Sequence, residues 1–155
     1  MDTMNLLLQP RILIYGITEP LGQVHTERMT AYGTAVVAGV SPGHGGDSVA
    51  SVPVFDTVDL AVKSVGTIDV SVIFVPPYEV LDAALESIAA GIRQVVIVTA
   101  GMPPIDTVRL VRAADATETL ILGPSSTGYI VPEQVLVGTD RKSTRLNSSH
   151  EFVAR

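Results

Sequence analysis

The sequence contains no cysteine, which excludes a disulfide framework, a thiolate zinc site and a cysteine nucleophile. Charge is also scarce: Asp, Glu, Lys and Arg make up only 17% of the 155 residues, and the formal net charge is −6. The basic footprint expected of a nucleic-acid binder is therefore missing. No apolar run approaches the ~20 residues that a membrane-spanning helix needs. The opening "MDTMNLLLQPR" has a short leucine run with no basic residue before it, so it lacks the charged leader of a secretory signal. Apolar residues, in contrast, are abundant at 46%, with a mean hydropathy of +0.40. With no spanning segment to absorb them, they must be buried in a soluble core, and this length suits one domain with a sizeable core.

From Arg11 to Gly123 the pattern alternates without a gap. The segments "ILIYG", "AVVAGV", "VSVIFV", "QVVIVT" and "TLILG" read as strands. They are continuous β-branched runs, as expected of parallel strands buried on both faces. Helical patterns lie between them. Val58, Ala61, Val62 and Val65 share one stripe, and Leu81, Ala84, Leu85 and Ile88 repeat it before a stop at Gly91. Pro20 and Pro77 stand where the first turn of a helix would need no amide donor. The alternation predicts an α/β fold, a doubly wound parallel sheet.

In such a sheet all the strands' carboxyl ends open on one edge, where ligands lie. The connecting segments there are Gly16 to Gly22, Ser41 to Gly46, Pro76-Pro77, Thr99 to Gly101, and Gly123 to Gly128. The first, Gly16-Ile-Thr-Glu-Pro-Leu-Gly22, matches neither G-x-G-x-x-G nor the P-loop pattern, and no Lys follows Gly22. A nucleoside triphosphatase is thereby disfavoured. The second strand runs into "SPGHGG" with no acid before Asp47, so the carboxylate that accepts from an NAD ribose is missing. That leaves room for a ribose phosphate. The glycine loop can expose amides to such an anion, His44 can add a donor, and the start of the Pro20 helix can receive a pyrophosphate. NADP and coenzyme A both satisfy this pattern.

The segments "GITEPLGQVHTERMTAYGT", "VAGVSPGHGG", "PVFDTVDLAV", "VIFVPPYEVLDAALESIAAGIRQVVIVTAG" and "GPSSTG" together resemble the N-terminal, Rossmann-like CoA-binding domain of succinate–CoA ligase α subunits. The similarity runs from about Met4 to Thr139. It implies that coenzyme A is bound by Gly16, Thr18, Glu19, Pro20 and Leu21 in the first turn, by His44, and by Val98, Thr99 and Ala100. It implies no catalytic residue and no metal ligand in this chain. It further implies a cytoplasmic heteromer in which a β subunit holds the magnesium-nucleotide and a second α domain supplies the phosphorylated histidine, so the chain alone would be inactive. Three positions depart from the family pattern. His44 stands for the usual Lys, Ala100 for Glu, and "GPSSTG" for "GPNCPG". Ser125 and Ser126 have no base beside them in sequence and read as turn or capping serines. His25, inside the first helix, reads as a surface or satisfied histidine.

The last residues break from this pattern. Asp140 to His150 has one large apolar residue, Leu146, and no period, and four of the ten basic residues lie from Asp140 onward. "DRKSTRLNSSH" resembles one reading frame of a common sequencing adapter. The expected division is therefore a CoA-binding domain over 1–139 and a non-native, disordered tail over 140–155.

Overall fold

The computed structural model describes residues 9–131, 135–139 and 153–154. The five expected strands are present as β1 (Arg11–Tyr15), β2 (Ala35–Val40), β5 (Val70–Ile73), β6 (Gln94–Ile97) and β7 (Leu120–Leu122). They pair in parallel. Every residue of β5, β6 and β7 is buried, which is why these strands read as unbroken apolar runs with no in/out alternation.

Three short strands extend this sheet. β4 (Val52–Phe55) joins β2 in parallel, and β3 (Ser48–Val49) turns back antiparallel against β4. β4 escaped the sequence reading because Pro53 interrupts it, and proline is tolerated only toward a sheet's edge. With β10 (Val153–Ala154), the order among the described residues is β10-β7-β6-β5-β1-β2-β4-β3. β10 pairs antiparallel with Leu122 and Ile121 of β7. At these two residues the chain differs from the irregular tail expected of it, because β7 is otherwise an edge with unpaired backbone groups. The rest of that tail lies outside the described residues.

Helices cover both faces. α1 (Pro20–Tyr32) lies on one, with Pro20 in its first turn and Gly33 ending it at φ 101°. α2 (Val58–Val65), α3 (Val80–Ala89) and α4 (Pro104–Thr117) lie on the other. Thr57 caps α2, its Oγ1 accepting from the Leu60 amide at 3.1 Å. Pro77 opens a single 3₁₀ turn, Pro77–Glu79, and α3 starts only at Val80. Its fully buried face is consequently Val80, Ala83, Ala84, Ser87 and Ile88. Leu81 and Leu85 of the expected stripe flank that face, half-buried.

The face that carries α1 is completed by a hairpin, β8 (Gly128–Val131) with β9 (Val135–Gly138). Thr34 clamps it: its Oγ1 donates to the Leu136 carbonyl at 2.7 Å and accepts from the Leu136 amide at 3.0 Å. Tyr129, Val135, Leu136 and Val137 share a core with Ile12, Ile14 and Met29. Among the described residues, no helix is long and apolar enough to cross a membrane.

Candidate functional site

β1 sits between β2 and β5. The chain leaves β1 toward β2 on one side and returns to build β5, β6 and β7 on the other, so the crevice between β1 and β5 is the switch point where ligands bind in open α/β sheets. Two glycines shape the turn at its mouth. Gly16 has φ 87°, and a Cβ there would lie 3.1 Å from the Val75 amide. At Gly22 a Cβ would lie 2.3 Å from the Gly16 carbonyl oxygen. Helix α1 thus rests directly on the turn that precedes it. The Glu19 amide donates to the Gly16 carbonyl at 3.0 Å. Its side chain, at the N-cap, makes no capping hydrogen bond. The first-turn amides of α1, which have no intrahelical acceptor, are therefore not claimed by the cap residue.

A cleft of about 380 Å³ opens beside this turn, lined by the end of β1, the loop after β2 and the start of α3. Its wall toward β2 is pinned by a 2.6 Å hydrogen bond between the Thr18 and Ser41 hydroxyls. The buried Tyr15 is among its lining residues, and the phenol donates to Glu86 Oε1 at 2.6 Å while Glu86 Oε2 accepts from the Val58 amide at 2.7 Å. One carboxylate thereby ties β1, α2 and α3 together. Burial first, then the hydrogen bond and charge of Glu86, with smaller contributions from Asp82 and Glu79, push the Tyr15 phenol far above its usual range. Glu19, Glu79 and Asp82 also line the cleft, and His44 is the basic side chain among its lining residues.

Of the residues singled out from sequence, Gly16, Thr18, Glu19 and His44 line this one cleft. Pro20 lines a neighbouring groove with Gln23, Val24 and Glu27, and Leu21 projects outward, 58% exposed. Val98, Thr99 and Ala100 lie outside the cleft. Thr99 is joined to its wall, however, donating to the Val75 carbonyl at 2.6 Å. Ser126 is a turn serine, its Oγ accepting from the Gly128 amide at 2.9 Å. His25 is buried, its ring stacked on Phe74 with centroids 5.9 Å apart.

The glycine loop departs from expectation. Its amides do not point outward to await an anion. Those of Gly43 and Gly45 both donate to Asp56 Oδ1, at 2.9 and 3.0 Å. The His44 amide donates to the Ser41 carbonyl and the Gly46 amide to the Val54 carbonyl. The chain's own carboxylate has taken the position that a bound anion would occupy. Asp56 was not legible as a site residue because it follows β4, and only the pairing of β4 with β2 brings it under the loop. Tyr15, Glu79 and Asp82 were missed for a similar reason, since nothing local in their segments marks a cleft wall.

A family model described as a CoA binding domain matches residues 9–101. The chain is 40% identical over 139 residues to succinate–CoA ligase [ADP-forming] subunit alpha 1 of Archaeoglobus fulgidus, covering 88% of this chain and 47% of that protein. It is 38% identical over 128 residues to the corresponding alpha subunit of Staphylococcus aureus, covering 83% of this chain and 42% of that protein. The chain spans less than half the length of these curated relatives. Among solved structures, ATP citrate lyase from Methanothrix soehngenii, in complex with citrate and coenzyme A, superposes with a TM-score of 0.75 at 18% identity. That match covers 89% of this chain and 24% of the lyase chain, and it is a likeness of fold.

Proposed function

This chain belongs to the CoA-binding domain family, and from that premise we propose that it is the coenzyme-A-binding part of the α subunit of an NDP-forming succinate–CoA ligase. The observation that carries the proposal is the 40% identity to such a subunit over 139 residues, 88% of the chain. The cleft at the switch point, lined by four of the residues the resemblance implicates, supports it. The reaction of the whole enzyme would be succinate, coenzyme A and a nucleoside triphosphate giving succinyl-CoA, nucleoside diphosphate and phosphate. The magnesium-nucleotide would belong to a β subunit, and the domain proper would comprise residues 1–139.

The site fits coenzyme A in two parts. The uncapped start of α1 suits phosphates, since its amides and the helix dipole both favour an anion. The cleft itself does not, because Glu19, Glu79 and Asp82 line it and like charges a few ångströms apart repel. The cleft suits an uncharged portion of the ligand, held by the Thr18 and Ser41 hydroxyls and the Gly16 turn. Coenzyme A supplies the thiol that becomes the thioester, and this chain's residues anchor and orient it. Neither the buried His25 nor the exposed His44 is offered as the phosphorylated histidine.

The test is a chimera in which residues 1–139 replace the matching part of the Archaeoglobus α subunit, purified with its β subunit. It is expected to form succinyl-CoA, whereas the 155-residue chain with Mg-ATP, succinate and coenzyme A forms none. A folded chimera that binds coenzyme A but makes no thioester would contradict the ligase reading and leave a binding module.

A further inference from the structure

His44 is one of the lining residues of the cleft, yet its side chain is 52% exposed and, among the described residues, is joined only by a long 3.4 Å contact to the still more open Asp47. A side chain so loosely held cannot by itself keep one orientation. What is firmly held is the backbone on either side. The amides of Gly43 and Gly45 converge on a single oxygen, Asp56 Oδ1. The packing is equally close, because a Cβ on Gly45 would lie 2.6 Å from Asp56 Oδ2. Asp56 reaches the loop because β4 pairs with β2 at Val40 and Phe55, setting the residue after β4 beside the loop after β2.

We infer that Asp56 is the positioning residue of the site: its carboxylate fixes the two amides that flank His44 and so presents the half-exposed imidazole to an anionic group of the ligand at the rim of the cleft, clear of its acidic wall. The inference rests on the coenzyme-A reading for the identity of that ligand, but the loop geometry does not. Charge and position make opposite demands here. A carboxylate beside an anion-binding loop repels the ligand, so on charge alone any neutral replacement of Asp56 would tighten binding. Positioning requires the acceptor oxygen, so it distinguishes asparagine, which keeps one, from alanine, which does not.

Coenzyme A titration of the 155-residue chain by calorimetry separates these cases. H44A and D56A are each expected to weaken binding roughly tenfold, the scale of one hydrogen bond to a charged group. The double variant is expected to be no weaker than either single one, because both remove the same contact. D56N should bind as tightly as the wild type or more tightly. G45A, whose methyl displaces the carboxylate, should behave like D56A, and it stands in should D56A fail to fold. If H44A weakens binding while D56A and G45A do not, or if D56N is as weak as D56A, the inference is overturned. If the wild type binds no coenzyme A, the functional reading fails instead. The loop is then decided by amide proton shifts in the free protein: those of Gly43 and Gly45 should move upfield in D56A and stay in D56N, and insensitivity to D56A overturns it.

Discussion

Tyr15 is a polar aromatic at the end of a buried strand, and what it does there follows from one contact. Its phenol is held un-ionised by burial and by donation to Glu86. Replacing it with Phe keeps the ring but leaves Glu86 with only the Val58 amide, which should cost roughly 1.5 kcal/mol. The pH dependence has a definite sign. The folded chain keeps the phenol neutral while the unfolded chain ionises it near pH 10, so stability from this group is complete below about pH 10 and falls as pH rises past it. Chemical denaturation from pH 8 to 11 should therefore show a decline in the wild type that is shallower in Y15F. Equal slopes would mean that the tyrosine is not buried against the glutamate. At this scale the sequence was legible where a residue's role is local. The turn at Gly16 and the turn serine Ser126 read correctly, whereas the amides of the Ser41–Gly46 loop, taken up by Asp56, did not. Asp56 and Glu86 did not, because each acts on segments 11 to 71 positions away that only the folded sheet brings near.

Elements were legible in proportion to their burial. β5, β6 and β7 are covered on both faces and announce themselves as β-branched runs. β4 alternates between buried and open sites and carries Pro53, so its signal is weak. The stripe on α2 read well, with Val58 and Ala61 fully buried. That of α3 was displaced because Pro77 spends one turn as 3₁₀ before the α-helix begins. The seating of α1 on its own turn yields the sharpest prediction for an element. A glycine inside a helix normally gives up about 1 kcal/mol relative to alanine, so G22A should stabilise α1 in isolation. In the fold its methyl meets the Gly16 carbonyl oxygen at 2.3 Å, and overpacking of that kind costs roughly 1–3 kcal/mol. Thermal unfolding of G22A is expected below the wild type. A rise in Tm would show that α1 does not touch the turn.

The molecule as a whole is a sheet between two unlike layers, α2, α3 and α4 on one face, α1 and the β8–β9 hairpin on the other. The hairpin was not anticipated, since its contact with Thr34 spans 102 residues. Among the described residues, the segment beyond Thr139 touches this body through the two residues of β10. An edge ladder that short is worth at most about 1 kcal/mol, so deleting residues 140–155 should lower Tm by less than about 4 °C. A larger drop would extend the domain past Thr139. Binding of coenzyme A at the crevice between β1 and β5 is the proposal on which the others depend. Its most direct test is the titration of ¹⁵N-labelled chain with coenzyme A, and in parallel with NADP, followed by amide chemical shifts. Saturable shifts with coenzyme A are expected to cluster at Gly16, Thr18, Glu19, Ser41 and His44, with much weaker ones for NADP. Shifts scattered elsewhere, or NADP binding at this crevice more tightly than coenzyme A, would contradict it.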